Sequence, residues 1–262
     1  MGTVSKALNL LTYFNHGRTE IGLSDLTRLS GLNKATVFRL MTELQDCGFV
    51  EQANGDRAYR LGPQVLRLAA LREASVPILS VSRRVLRDLS DETGETTHLS
   101  LLQGDQLNSL SHAYSRRHAT KVMMEDAEVL TFHGTSSGLA VLAFADPGFV
   151  DGALNQPLAA HTNATVTDPN IVREQLGLIR TSGLAQSIGG FEADVHSHAV
   201  PIFGPNRDVI GALAVAAPVS RMSDQQKELI PAALRRAGAA LISRIGGSAP
   251  ASYPQAEPPH SN

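Results

Sequence analysis

The feature of this sequence that most constrains its fold is the stretch from residue 23 to residue 60. Leucines three residues apart end at Ser30-Gly31, which is typical of a short helix with a glycine stop. Apolar residues at helical spacing resume after Asn33 and run to Cys47. Two short β-type segments then flank Asn54-Gly55, a strong signal for a hairpin turn. Helix, tight turn, helix and hairpin is the order of a winged helix-turn-helix, which predicts double-stranded DNA as a partner.

The second helix of this motif has an apolar side and a polar side. Val37 and Leu40 fall on the side that should pack in the core, so the residues at its N-terminal end face outward. Helix-turn-helix proteins contact base edges and phosphates with this end. Arginines on the wing are expected to contact the DNA backbone or the minor groove, with a solvated hairpin as the alternative. The predicted DNA contacts are Lys34, Ala35, Thr36, Arg39, Arg57 and Arg60.

Net charge adds little to this prediction. The 262 residues carry a formal charge of -2, and the first 62 residues hold seven basic and six acidic side chains. Nonspecific affinity for DNA comes mainly from neutralised phosphates, so one copy of the motif should bind weakly. We therefore expect useful affinity to come from two copies held at a fixed spacing.

The composition is that of an ordinary globular protein, with 42% hydrophobic residues and no Trp. With one cysteine, Cys47, the chain can form neither an internal disulfide nor a cysteine-based metal site. The N-terminus lacks a signal-peptide pattern, and the longest apolar stretch, residues 209–219, is interrupted by Pro218 and too short to span a bilayer. These observations predict a cytoplasmic protein with no membrane association.

The pattern downstream of the motif alternates between helical and strand periods. It indicates helices at 63–74, 77–93, Ser136–Phe144 and Pro169–Ser182, and a last helix that follows Ser223. Strands flanked by helices predict an α+β fold with a mostly antiparallel sheet. The predicted strands are 97–102, 106–114, 118–124, 128–132, 184–188, 196–203 and 208–216.

Several short motifs together resemble those of IclR-family transcriptional regulators, over residues 4–245. In the first part the resemblance rests on Lys6-Ala7-Leu8 and on residues 30–40, 48–51 and 59–62. In the second part it rests on Thr97-His98-Leu99 and on residues 133–138, 179–184, 199–203 and 217–221. The resemblance implies a homodimer or homotetramer that binds a palindromic operator and regulates a catabolic operon, as repressor or activator. It implies no enzymatic activity, and we expect no cofactor.

The resemblance also implies a domain organisation. A winged helix-turn-helix domain covers residues 1–62, and a linker helix covers 63–75. An α/β effector-binding domain, GAF-like and built on the mostly antiparallel sheet, covers 76–247. Residues 248–262, rich in Gly, Ser, Ala and Pro, are predicted to be a disordered tail.

The family resemblance implies that a pocket for a small organic or aromatic acid is built from three parts of the second domain. These parts are the start of a predicted helix, the segment of residues 187–197 and the last strand. Ser136 and Ser137 open a predicted helix, where free N–H groups and the positive end of the helix dipole favour an anion. Alanines stand at 214 and 216, where some family members have hydroxyls, so the pocket should prefer a ligand larger and less polar than glyoxylate or pyruvate. Asp194 and Leu139 also depart from the family pattern, replacing a usual Gly and a usual Lys. The predicted effector contacts are Ser136, Ser137, Ser187, Val195, Ser197, Ala214 and Ala216.

A hydrolase is the main alternative function. Residues 134–138 match the G-x-S-x-G pattern of a nucleophile elbow, centred on Ser136. Asp168 or Asp194, followed by His196 or His198, would supply the acid and the base in the right chain order. The predicted strands do not alternate with helices, however, which argues against an α/β-hydrolase.

Two further alternatives remain open at this stage. The second domain of a constitutive DNA-binding protein could have lost its effector. His196 and His198 could also point to one face of a strand and bind a metal, although neither cysteines nor regularly spaced carboxylates support them.

Overall fold

A computed structural model describes residues 2–15, 17–52, 57–75, 77–124 and 127–254. The chain divides into two compact units, Met1–Pro77 and Ile78–Asn262. The helix predicted as a linker over 63–75 lies within the first of these units.

The first unit contains the predicted helix-turn-helix and wing. Its elements are α1 (Thr3–Leu11), α2 (Leu23–Ser30), α3 (Lys34–Asp46), β1 (Val50–Gln52), β2 (Tyr59–Leu61) and α4 (Pro63–Ser75). Leu10, Leu26 and Met41 are fully buried in its core, and the antiparallel strands β1 and β2 form the wing. The turn predicted at Asn54-Gly55 lies outside the described residues.

The tight turn between α2 and α3 forms as predicted. Gly31 adopts the left-handed conformation with φ 65°, and its N–H donates to the carbonyl of Thr27 at 3.1 Å. Asn33 caps α3, since its Oδ1 accepts the backbone N–H of Thr36 at 2.8 Å. The residue type of Ser24 predicts a cap for α2, but Ser24 lies inside that helix, and Gly22 occupies the cap position.

Apolar residues at helical spacing near the N-terminus predict a first helix over residues 4–16. Helix α1 is shorter, because it ends at Leu11. The chain turns back there, because the backbones of Asn15 and Arg18 pair with each other. Ile21 then bonds to Tyr59 of the wing, and this tertiary pairing overrides the helical pattern.

The second unit is built on a six-stranded antiparallel sheet. Its strands are β3 (Thr96–Gln103), β4 (Gln106–Ala113), β5 (Val129–Leu130), β6 (Ala185–Ile188), β7 (Val195–Phe203) and β8 (Val209–Pro218). Their spatial order is β5-β4-β3-β8-β7-β6, so the central pair joins strands that are distant in sequence. The predicted α+β class with an antiparallel sheet is confirmed.

Helices cover both faces of this sheet. They are α5 (Ile78–Thr93), α6 (Ser136–Phe144), α7 (Pro147–Leu154), α8 (Pro169–Ser182) and α9 (Asp224–Arg244), with a 3-10 turn at Val219–Arg221. α5 and α9 pack together on one face, where the Thr97 hydroxyl donates to the carbonyl of Leu86 in α5. α6 packs on the opposite face, where the next residue, His98, contacts Ser137. One side of each central strand therefore faces α6.

One predicted strand of this unit is wrong, and another is shorter than predicted. Residues 118–124 form no strand, and the strand predicted over 128–132 is limited to Val129–Leu130. Side chains hold the segment instead. The Tyr114 hydroxyl both donates to and accepts from the backbone of Met124 at 3.0 Å, and Thr96 Oγ1 donates to the carbonyl of Val122.

Two other features differ from the prediction. Helix α7 was not predicted, although Asp146 caps it and Pro147 opens it. Tyr253 packs edge-on against Phe144 and Phe203, so the predicted disordered tail does not start at residue 248. Residues 255–262 lie outside the described part of the chain.

Candidate functional site

The first candidate site is the outer face of α3. Val37, Leu40 and Met41 are buried, which orients the helix and turns the opposite face to solvent. Lys34, Ala35 and Arg39 are exposed on that face, as predicted for a DNA-reading helix, and Thr36 is half-buried.

The charges on this face are available to an anionic partner. Neither Lys34 nor Arg39 forms an ion pair with any described residue. The wing differs, because Arg60 Nε lies 2.8 Å from Glu51 Oε1 across the β1–β2 pair. Arg57 is exposed. The helix therefore offers two uncompensated cations, while the charge of Arg60 is partly neutralised.

Phe38 is a residue of this face that sequence reasoning did not assign. It is 55% exposed, one helical turn from Lys34 and one from Thr42. Because more than half of this ring is exposed, packing in the core does not explain its position on a charged face. Its position four residues after Lys34 on the outward side was the signal that could have identified it.

The second candidate site is a cleft at the N-terminus of α6 that is partly open to solvent. It brings together six of the seven predicted effector contacts, namely Ser136, Ser137, Ser187, Val195, Ser197 and Ala216. Ala214 does not line it. That residue is fully buried in β8, opposite His98 and Ala199 of the neighbouring strands.

The start of α6 presents unpaired backbone donors to the cleft. Thr135 caps the helix by accepting the N–H of Gly138 at 2.9 Å, while no described group accepts the backbone N–H of Ser136 or Ser137. These two N–H groups lie at the positive end of the helix dipole. Such an arrangement suits an anionic group.

The hydroxyl of Ser187 is already engaged by the protein. It donates to the carbonyl of Gly134 at 2.9 Å and so ties β6 to the turn before α6. In the segment after β6, the carbonyl of Gly190 accepts a hydrogen bond from the hydroxyl of Thr165 at 2.7 Å. A Cβ at Gly190 would lie 2.7 Å from the Gly134 carbonyl oxygen, so only glycine allows these two backbones to approach. Ser187 therefore shapes this wall of the cleft.

Several lining residues were not predicted from the sequence. The apolar wall comes from Val122, Met124, Leu130 and Phe191, and two carboxylates, Glu128 and Glu192, also line the cleft. They come from the irregular segments around β5 and after β6, where no periodic pattern could place them. The described lining contains neither Lys nor Arg.

His98 is the other unpredicted residue of the cleft. Its Nε2 lies 3.1 Å from Ser137 Oγ, and only 5% of the residue is exposed. Burial, with a smaller effect of neighbouring His112, lowers the pKa of His98 from 6.5 to about 4. The imidazole is therefore neutral at pH 7 and acts as one donor and one acceptor.

The geometry does not assemble the predicted hydrolytic triad. His196 and His198 lie on β7, and the rings stack 4.8 Å apart. His198 of β7 is paired with Val215 of β8, and Val215 is paired with Thr97 of β3. The hydroxyl of Thr97 bonds to α5, so His198 also faces the α5 side of the sheet rather than Ser136. Ser137 and His98 do form a serine–histidine contact, but Nδ1 of His98 has no partner among the described residues to orient it. Among the described residues no group of three or more His, Cys, Asp or Glu side chains is placed to hold a metal ion.

Comparison with known families decides what kind of protein carries these two sites. A family model described as the IclR helix-turn-helix domain matches residues 3–54, and one described as the bacterial transcriptional regulator IclR C-terminal domain matches residues 71–244. The chain belongs to the IclR family. It is a DNA-binding transcriptional regulator, and the hydrolase alternative is not supported, because this family consists of regulators.

Curated members of the IclR family match along nearly their whole length. The HTH-type transcriptional regulator XynR of Escherichia coli K12 is 28% identical over 93% of this chain and 97% of its own. The transcriptional repressor IclR of the same organism is 25% identical over 94% of this chain and 90% of its own.

Solved structures of IclR-family proteins share the fold. A regulator from Silicibacter sp. TM1040 has a TM-score of 0.96 and 74% identity, over 97% of this chain and 100% of its own. An IclR homolog from Microbacterium hydrocarbonoxydans, solved in complex with 4-hydroxybenzoate, has a TM-score of 0.76 and 27% identity, over 93% and 99%. No described helix of this chain is both long and apolar enough to cross a bilayer.

Proposed function

We propose that this IclR-family regulator responds to a small organic acid, of the aromatic class, that binds in the cleft at the start of α6. As a homodimer or homotetramer it binds a palindromic operator through α3, acts in the cytoplasm and controls a catabolic operon. The proposed DNA contacts are Lys34, Ala35, Thr36, Arg39, Arg57 and Arg60. The proposed effector site is lined by Ser136, Ser137, Ser187, Val195, Ser197 and Ala216, with Ser187 acting through the shape of the wall, while Ala214 is buried in β8 outside the lining.

The observation that carries the effector proposal is the chemistry of the cleft. Unpaired backbone N–H groups of Ser136 and Ser137 suit a carboxylate, and the apolar lining residues Val122, Leu130 and Phe191 suit a ring. The complex of a relative with 4-hydroxybenzoate supports the same ligand class.

Exposed leucines on α4 support self-association. Leu66 and Leu71 are 75% and 56% exposed, and no residue of α4 is buried within the chain. Large apolar side chains in solvent favour contact with a second copy. Sedimentation of the full chain should show a dimer or a tetramer, and a monomer at operator-binding concentrations would contradict this part of the proposal.

The effector controls DNA binding through its different affinities for two arrangements of the protein. A ligand that binds both arrangements equally shifts neither population, however tightly it binds. Acids that stabilise the protein should therefore also change operator affinity.

A footprint on the DNA beside the gene for this protein tests the operator proposal. We expect a protected palindrome with the wild type and at least a tenfold weaker complex with Lys34→Ala/Arg39→Ala. The control, Arg83→Ala/Arg87→Ala, removes the same charge from exposed positions on α5. Equal loss of operator affinity in both double variants would show a general effect of charge rather than specific contacts from the exposed face of α3.

A thermal-shift screen tests the effector proposal. Aromatic and aliphatic acids are added to the full chain, and the hits are assayed for an effect on operator affinity. An acid that raises the unfolding temperature and changes the affinity supports the proposal. If no acid does so while the operator is still bound, the protein is an effector-independent DNA-binding protein.

A further inference from the structure

Residues 120–124 contribute to the lining of the effector cleft without belonging to a helix or a strand. Val122 and Met124 line the cleft, while Met123 between them is 66% exposed. The segment therefore presents alternate residues to the cleft, as a strand would. The described structure nevertheless contains no backbone–backbone hydrogen bond to these five residues, so no neighbouring strand fixes their position.

Two hydroxyl groups from the adjacent sheet hold this segment by its backbone. Thr96, at the start of β3, donates its hydroxyl to the carbonyl of Val122 at 2.9 Å. The hydroxyl of Tyr114, directly after β4, bonds to both the N–H and the carbonyl of Met124 at 3.0 Å. Each of the two cleft-lining residues of the segment is therefore anchored by a separate side chain.

A third anchor depends on an ion pair. Nε and Nη2 of Arg221 lie 2.7 and 2.5 Å from the two carboxylate oxygens of Glu95, whose side chain is only 1% exposed. The remaining Nη1 donates to the carbonyl of Thr120 at 3.1 Å. A planar guanidinium can form such a bidentate pair and still offer a donor to another group, whereas a lysine ammonium is a point charge. The pair with Glu95 therefore directs Arg221 at the beginning of the segment.

The three anchors do not themselves line the described cleft, whereas the residues that they hold do so. A bound acid meets two kinds of surface in this cleft. The N–H groups at the start of α6 suit the carboxylate, which every organic acid carries. Apolar lining residues suit a ring, which a short aliphatic acid lacks. The position of Val122 and Met124 therefore matters for an aromatic acid and little for a short aliphatic one.

We propose that Thr96, Tyr114 and Arg221 are positioning residues of the effector cleft, which hold Val122 and Met124 in contact with the ring of a bound aromatic acid. This inference rests on the proposed acid effector and adds the groups that set its preference for aromatic over short aliphatic acids. The three residues act through the segment and not through contact with the acid. Their loss weakens binding of the ring and leaves binding of the carboxylate unchanged.

Calorimetry on the full chain tests the proposal with benzoate and propionate, which share a carboxylate and differ in the ring. Thr96→Val and Tyr114→Phe each remove one hydroxyl and leave no charge unpaired. We expect each to weaken benzoate at least fivefold and propionate less than twofold. Thr97→Val is the matched control, because the hydroxyl of Thr97 also donates to a backbone carbonyl, that of Leu86 in α5, at 2.8 Å. It should bind both acids like the wild type.

Arg221→Lys tests the third anchor. It keeps a cation beside the buried carboxylate of Glu95 and removes the planar group that reaches Thr120. We expect the same selective loss of benzoate affinity. Methyl NMR of the unmutated protein covers the case of a variant that does not fold. The methyl resonance of Met124 should shift with benzoate more than that of Met123, and an unchanged Met124 would overturn the inference.

The outcomes separate this inference from the proposed function. If benzoate binds Thr96→Val, Tyr114→Phe and the wild type equally, the positioning role is overturned while the effector proposal stands. Equal losses of benzoate and propionate affinity, or equal losses in Thr96→Val and Thr97→Val, would also overturn it, because the effect would then not depend on the ring or on the segment. If neither acid binds the wild type while the operator is bound, both proposals fail for these acids.

Discussion

At the scale of single residues, Lys34 and Arg39 are both exposed cations on α3, but their side chains recognise DNA differently. The guanidinium of Arg39 can form a bidentate contact with guanine, whereas the ammonium of Lys34 acts as a point charge on phosphate. Arg39→Ala should cost about 1–3 kcal/mol of operator binding and relax the preference for one base pair. Lys34→Ala should weaken binding to all DNA sequences alike. Binding to single-base operator variants measures this, and a uniform loss in Arg39→Ala would assign Arg39 to phosphate.

Phe38 belongs to the same face and is apolar. The partner that an exposed ring finds in a major groove is the methyl group of thymine. We therefore expect Phe38→Ala to weaken operator binding by about 1 kcal/mol. Replacing one operator thymidine at a time by deoxyuridine removes that methyl group, and at one position it should weaken the wild type but leave Phe38→Ala unchanged. If every thymidine-to-deoxyuridine change affects both proteins equally, Phe38 does not contact a thymine methyl.

At the scale of elements, the position of α6 depends on close backbone packing at Gly138. A Cβ there would lie 2.4 Å from the Cα and the carbonyl oxygen of Phe132. Gly138→Ala should therefore lower the free energy of unfolding of the second unit by about 1–3 kcal/mol or more. It should also disturb the cleft, which this helix end builds.

Gly177 in α8 is the matched control for that substitution. A Cβ at this exposed helical position meets nothing within 4 Å. Gly177→Ala should raise the free energy of unfolding by roughly 0.5–1 kcal/mol, because alanine favours the helix. Urea unfolding of both variants measures the difference. Equal effects of the two substitutions would show that the close approach at Gly138 does not constrain α6.

The bounds of helices and strands are predicted well where capping and turn residues close in sequence determine them. Helices α6 and α8 have the predicted bounds, because Thr135 and Asp168 cap them and Gly183 ends α8 in the left-handed conformation. The strand predicted at 118–124 is wrong, since the hydroxyl of Tyr114 and the side chain of Thr96 bind its backbone in place of a neighbouring strand. No local pattern announces such long-range side-chain bonds.

At the scale of the whole molecule, the buried histidines make stability depend on pH. The unfolded chain binds a proton at each site near pH 6.5, whereas folded His98 and His198 do so only near pH 4. The unfolded state therefore holds more protons in this window, and stability falls as the pH is lowered from 6.5 toward 4. At pH 5 the cost should be about 2 kcal/mol per histidine relative to pH 7.5.

Urea unfolding at pH 7.5 and pH 5 measures this dependence. His98→Asn and His198→Asn should each lose part of the acid sensitivity, since neither replacement can bind a proton in this range. The other titratable neighbours, His112 beside His98 and His196 beside His198, remain in both variants. An unchanged pH dependence in both would show that these histidines titrate normally in the folded protein.

The sequence by itself determined the DNA-reading unit. Cap, turn and core signals of α2 and α3 are local, and burial of Val37 and Leu40 leaves one orientation for Lys34 and Arg39. It also placed Ser136 and Ser137 at a helix start, because capping depends on a few consecutive residues. The effector cleft was decided by tertiary structure. Pairing of β3 with β8 brings His98 opposite residues more than a hundred positions away and sets it against Ser137. Such pairing depends on the packing of the whole sheet, and no short stretch of sequence encodes it.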